Sequence, residues 1–188
     1  VIAELSKGKV SPTTNELVTA ANKLGSNPTV IVPCSDSSAA NDASMISGVK
    51  KVIAAKSDVF ANYDAAAWAE AIDSVAPAGI IITSASAQSK DLAARIAARR
   101  SISVVQDVIA IDGTTLSTPI YSGKAIQNVA ISGDAVISVR ANIFAPSENT
   151  GNTDVQVIDT TGNVSTAIKE LVQRASQRLD VSEANIII

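Results

Sequence analysis

Few side chains in this sequence could do chemistry, and the most suggestive lie between Ser84 and Asp107. The stretch Ser84-Ala85-Ser86-Ala87-Gln88-Ser89 follows an apolar run, Gly79-Ile80-Ile81-Ile82-Thr83, and precedes an Ala/Arg-rich segment with helical spacing. A loop from the carboxyl end of a buried strand to a helix amino terminus can present backbone N–H groups to an anion or nucleotide. Small residues there also cap the helix and permit close packing, and the residue types favour that use. After the first apolar run, Leu5-Ser6-Lys7-Gly8-Lys9 is a poor version of a phosphate loop; neither a Walker A pattern nor Gly-x-Gly-x-x-Gly occurs anywhere. Arg95, set among Leu92-Ala93-Ala94 and Ile96-Ala97, is expected to turn inward and pair with an acid, Asp107 being the candidate. Tyr121 beside Gly123 is expected to pack at a strand end.

Other chemistries are excluded by what the chain lacks. With no histidine, Ser-His-Asp and Cys-His nucleophilic systems cannot be built. One cysteine and no histidine leave no zinc site. A site made only of carboxylates could draw on Asp36, Asp42, Asp58, Asp64 and Asp73, but their spacing matches no calcium loop or paired-acid motif. Several of them stand where helices want a cap. The lone Cys34, after Val30-Ile31-Val32-Pro33, suits a partly buried, inert thiol in a reducing compartment. The residue types therefore predict no catalytic or metal-binding residue within these 188 positions.

The elements that must position these residues follow from composition and rhythm. The chain is 46% hydrophobic, 18% charged and only 3% aromatic, so a sizeable core must be built from Ala, Val, Ile and Leu. A net charge of −3 with scattered basic residues argues against nucleic acid. The densest basic group, Arg95, Arg99 and Arg100, is expected to be a solvated helix face. No apolar run approaches the roughly 20 residues of a membrane helix, so no membrane insertion is expected.

Up to residue 100, short β-branched runs (Val1–Ala3, Thr29–Val32, Lys51–Ala55, Ile80–Thr83) alternate with four helical segments. Those segments open at Ser11-Pro12, Asp36, Asp64 and Ser89. Strands alternating with helices imply parallel pairing through right-handed crossovers. Runs that are apolar throughout imply a sheet covered by helices on both faces. From about residue 104 to 140 the rhythm changes. Val104–Ile111, Leu116–Tyr121, Ala125–Ile131 and Ala135–Val139 are separated by Asp112-Gly113, Ser122-Gly123 and Ser132-Gly133-Asp134, which predicts an antiparallel meander. Pro119 should lie on an edge or at a bulge. A polar loop over 145–153, a strand at Val155–Ile158, a helix from about Val164 to Leu179 and a strand starting at Ala184 complete the pattern. The fold class expected is α/β, a mostly parallel sheet with an added antiparallel meander.

The linked pattern Ser89–Arg100, Asp107, Tyr121, Gly123 and Ala125 resembles the amino-terminal domain of the electron transfer flavoprotein alpha family. Members typically show Gly-x-x-Leu-x-Pro-Arg-x-Ala-x-x-Leu, then an Asp, then Arg-x-x-Tyr-x-Gly-x-Ala. Asp91-Leu92, Arg95, Ala97, Asp107, Tyr121, Gly123 and Ala125 fit in order and spacing, as do the opening Val1-Ile2-Ala3-Glu4, Leu17, Ala20-Ala21 and Leu24-Gly25. Ser89 stands where Gly is usual, Ala94 where Pro is usual, and Ser117 or Thr118 where Arg is common. These departures bear on surface contacts more than on the fold.

The resemblance implies a nucleotide-binding-like architecture of the adenine nucleotide alpha hydrolase type. It implies a heterodimer with a beta subunit, and FAD held mainly by a second alpha domain. The whole protein would pass electrons from acyl-CoA and related dehydrogenases to a quinone oxidoreductase, in the mitochondrial matrix or alternatively the bacterial cytoplasm. The chain opens without Met and stops on Ile186-Ile187-Ile188, so a cut from a longer polypeptide is expected. Residues 1–182 would be the amino-terminal domain and 183–188 the first strand of the flavin domain, with FAD ligands beyond residue 188. The resemblance implies no cofactor-binding residue within these 188 positions, and this fragment alone is expected to bind no FAD. The alternative is a stand-alone α/β module that binds AMP or ATP.

Overall fold

A computed structural model describes residues 1–25 and 27–166. The chain begins with Val1–Ala3, an extended segment, and then turns through a small hairpin of β1 (Leu5–Ser6) and β2 (Lys9–Val10). Helix α1 (Thr13–Lys23) starts behind Pro12, whose fixed φ suits a first turn, and Gly25 follows it at φ 114. Strand β3 (Thr29–Cys34) leads through a 3₁₀ turn at Ser37–Ala39 to the short α2 (Ala40–Ser44). Next come β4 (Lys51–Lys56), a 3₁₀ turn at Asp58–Ala61 and α3 (Ala65–Asp73). Asp64 caps α3, its carboxylate accepting the N–H groups of Ala66 and Ala67 at 3.0 Å. Strand β5 (Ile80–Ser84) then feeds α4 (Ala87–Arg100), which starts two residues before the expected Ser89 because Ser86 is its cap.

The parallel strands form one row. β4 lies between β3 and β11 (Val155–Asp159), in register Val30↔Val52↔Val155. β10 (Ala135–Val139) lies between β5 and β6 (Ser103–Val108). Val1–Ala3 joins the two halves: Ile2 donates to Ile82 O, and Ala3 donates to Ile31 O, both at 2.8 Å. The resulting order is β11, β4, β3, Val1–Ala3, β5, β10, β6.

Side chains alternate between two cores, as successive strand residues must. Val30, Val32, Val52, Ile82 and Ile137 pack with α1 and α2, whereas Ile31, Ile53, Ile81 and Val136 pack with α3 and α4. Helices on both faces explain why β3, β4 and β10 are buried along nearly their whole length.

The antiparallel meander is shorter than the expected 104–140. Only β7 (Ala110–Asp112), β8 (Thr115–Ile120) and β9 (Ala125–Ala130) pair in antiparallel fashion. The first and last runs, β6 and β10, are parallel members of the main sheet. Two physical causes separate them. Asp107 sits at φ 59 and kinks the end of β6 where its register with β10 shifts, and the run that the sequence shows as continuous divides at Ile109. Ala135–Val139 is apolar on both faces and fully buried, so it belongs at the centre of a covered sheet, not on a half-exposed hairpin. Parallel neighbours need a crossover of a dozen or more residues, and the meander supplies it where a helix usually would. Pro119 lies beyond the reach of β7, which covers only Thr115–Ser117, so β8 has a meander partner on one side there.

The loop over 145–153 is polar, as expected, and firmly tied. Ser47 donates to Glu148 O, Gly151 donates to Met45 O, and Asn15 Nδ2 donates to Ser147 O. A Cβ on Gly151 would sit 2.7 Å from Ile46 O, so only glycine allows the approach. The segment 160–166 crosses α3, with Asn163 donating to Glu70 and the Thr166 hydroxyl to Asp64. The expected helix to Leu179 and the strand from Ala184 fall outside the described residues, except that 164–166 form no regular element.

Candidate functional site

The carboxyl ends of the parallel strands open on a crevice of ≈ 350 Å³. It is lined by Glu4, Thr13, Ser84, Ala85, Ser86, Asp107, Arg140 and Ala141. They arrive from several elements for a simple reason: strands pointing the same way deliver their outgoing loops to one edge. Glu4 leaves Val1–Ala3, Ser84 ends β5, Asp107 lies near the end of β6, and Arg140 follows β10.

Within the Ser84–Ser89 stretch the hydroxyls serve one another. Ser84 Oγ donates to Glu4 Oε2 at 2.6 Å and lies 2.9 Å from Ser89 Oγ, while Ser86 Oγ accepts the Ser89 N–H at 3.2 Å. The favoured reading of this loop as a helix cap is therefore what the geometry supports. Lys7 and Gly8, the core of the weak phosphate-loop pattern, form the β1–β2 turn with φ 51 and 77. Two consecutive positive φ values are what a tight hairpin demands. No phosphate cradle is formed there.

Arg95 does not meet Asp107. It stands half exposed and pairs with Asp91 at 3.2 Å, one helical turn back. Asp107 pairs instead with Lys90 Nζ at 2.6 Å, lies 3.9 Å from Arg140 and donates its backbone N–H to the Ser138 hydroxyl. Lys90, Arg140 and Glu4 were not singled out by the sequence. Lys90 faces Asp107 at the end of β6 while its neighbour Ser89 faces Ser84 at the end of β5, an orientation that spacing alone does not show.

The basic trio also splits. Arg95 and Arg99 are surface groups, but Arg100 is only 16% exposed. Its guanidinium binds the Asp73 carboxylate and the carbonyls of Ala76 and Pro77, closing the carboxyl end of α3. The expected solvated face thus includes one structural anchor. Tyr121 departs from expectation too. Its φ of 52 places it in the β8–β9 turn, 78% exposed, with no packing at the strand end.

The acids behave as caps and tethers. Asp36 accepts from Ser38, which holds its carboxyl below the usual range, and Asp73 binds Arg99 and Arg100. No group of three or more potential metal ligands occurs among the described residues. Cys34 is buried against Ala55 O, and burial pushes its thiol up, away from reactivity. No described helix is long and apolar enough to cross a membrane.

The Thr166 hydroxyl and then the α3 N–H groups hold the Asp64 carboxyl below its ordinary value. A depressed folded value means that the unfolded chain binds protons first, so stability falls as acid is added below about pH 4. Asp64→Asn is expected to flatten that acid limb while leaving the neutral region's shape unchanged, as read from urea unfolding between pH 2.5 and 7.

Residues 1–165 match the family model described as the electron transfer flavoprotein domain. Similar relatives include the mitochondrial electron transfer flavoprotein subunit alpha of Arabidopsis thaliana, 29% identical over all of this chain and 58% of the relative. The corresponding protein of Oryza sativa subsp. japonica is 32% identical over 79% of the chain and 45% of the relative. The subunit alpha of Bacillus subtilis is 27% identical over all of the chain and 62% of the relative. The chain thus spans about half to three-fifths of the length of the relatives it matches.

Proposed function

The chain belongs to the electron transfer flavoprotein domain family, and from that premise we propose that it is the amino-terminal, partner-docking domain of an alpha subunit. In this reading residues 1–182 form the domain, and residues 183–188 begin the one that grips FAD. A beta subunit covers part of the present domain to make a heterodimer. The assembled carrier takes electrons from acyl-CoA and related dehydrogenases, as in fatty acid β-oxidation, and delivers them to a quinone oxidoreductase. This domain contributes shape and no catalytic group. The mitochondrial matrix is the first location, in keeping with the plant relatives' names, and the bacterial cytoplasm is the alternative.

The described residues do not fit a flavin dinucleotide. Their strand-end hydroxyls are engaged with Glu4 and with one another, and the Glu4 carboxylate borders the crevice. In the proposed reading the flavin belongs to the other domain, and these engaged groups support that reading.

The observation that carries docking is the outer edge of the meander. Among the described residues β9 pairs with β8 alone, leaving its other edge open. Ile126 in β9 is 52% exposed, close in sequence to the exposed Tyr121. An open strand edge with apolar side chains is a hazard unless another chain covers it. In the full alpha subunit, Ile126→Asp is expected to weaken association with the beta subunit at least about tenfold, measured by titration calorimetry. Met45→Gln, next to α2 toward the opposite end of the sheet, should leave it unchanged. Wild-type affinity in the Ile126→Asp subunit would sink the assignment of this edge.

A further inference from the structure

From Val1–Ala3 the chain moves outward through β3 and β4, then returns to place β5 on the other side. The boundary between Val1–Ala3 and β5 is where the connections diverge, with α1 and α2 on one face and α3 and α4 on the other. In open parallel sheets this switch point leaves a crevice beyond the strand ends, and ligands enter there.

Here a carboxylate of the chain's own lines the crevice. Glu4 is the first residue beyond Val1–Ala3, and Ser84 is the last of β5, so their 2.6 Å hydrogen bond spans the switch point itself. Ser84 is 3% exposed, and its hydroxyl is held further by Ser89. Around Glu4 stand the features that otherwise attract phosphate: Thr13 at the start of α1, Ser86 capping α4, and the Arg140 guanidinium. The remaining charged wall, Asp107, is already neutralised by Lys90.

We propose that the Glu4 carboxylate, in the wall of the switch-point crevice, closes it by charge to phosphate-bearing ligands, nucleoside monophosphates among them. A phosphate entering beside Glu4 meets a like charge in a partly desolvated space, which disfavours binding. The sheet retains the topology of a nucleotide site, and one side chain denies its use. The inference stands or falls independently of what covers the meander.

Glu4→Gln keeps the size of the side chain and its bond to Ser84 while removing the charge. Titration calorimetry on the full chain with inorganic phosphate and with adenosine monophosphate is expected to show at least about tenfold tighter binding to Glu4→Gln than to wild type. Adenosine, lacking phosphate, should show no change. Adding Arg140→Ala to Glu4→Gln should abolish the gain and so locate it in this crevice. Glu4→Ala provides the same reading should Glu4→Gln fail to fold, with circular dichroism as the control. The proposal is overturned if folded variants bind phosphate no more tightly than wild type. It is equally overturned if adenosine gains as much, or if the gain survives loss of Arg140.

Discussion

Leu116→Ala is expected to destabilise the folded chain by about 2–5 kcal/mol, the range for removing a large buried side chain and leaving a cavity. Leu116 is fully buried in β8, within the same core as Val108, Ile131 and Ile137. It is the residue by which the meander is pinned to the main sheet, and its strand neighbours Thr115 and Ser117 are less buried. Urea unfolding measures the loss, read as a lower midpoint at unchanged slope. Hydrogen exchange should show the amides of Ala110–Ala130 losing more protection than those of β3 and β4. Uniform loss over the whole sheet would mean that the meander is not anchored chiefly through this side chain.

Arg100→Ala carries the second large effect, about 2–3 kcal/mol, because a charged donor is removed from part-buried acceptors at Asp73 and Ala76. Its guanidinium serves Asp73, Ala76 O and Pro77 O together, and the side chain is 16% exposed. Removing it leaves the end of α3 with carbonyls unsatisfied and Asp73 relying on the more exposed Arg99. Arg100→Lys should recover only part of the loss, since an ammonium cannot reproduce the planar fork that reaches several oxygens at once. Thermal and urea unfolding of the three proteins check this. Equal stability of the Ala and Lys variants with wild type would show that the fork contributes nothing.

Both sites show where reading from residues succeeds and where it fails. Arg100 shares a helix and a charge with Arg95 and Arg99, and nothing in the local pattern tells them apart. Only the approach of α3 and α4 makes one of them an anchor. Arg95 was expected to seek Asp107, yet Asp91 stands four residues earlier on the same helix face. The i,i+4 spacing was the available signal, and it outweighs a longer reach across the fold. Glu4 could have been noticed by its place directly after the first strand, at the end where such sheets keep their sites. Tyr121 lies outside the packing expected of it because it stands in the β8–β9 turn, beyond the last paired residues Ile120 and Ala125.

The order of strands and helices, the two-sided burial of the sheet, the cap at Asp64 and the inert Cys34 are local matters. Each is dictated by side-chain period, β-branching or a hydroxyl or carboxylate next to a helix start, so the amino-acid sequence alone determined them. Tertiary structure decided which runs pair in parallel, because β6 and β10 become neighbours only once β5 and Val1–Ala3 are in place. It also decided that Glu4, Ser84 and Arg140, far apart along the chain, face one crevice. Such contacts depend on how whole elements stack, and the energy of stacking is shared among many residues and written in no single one of them.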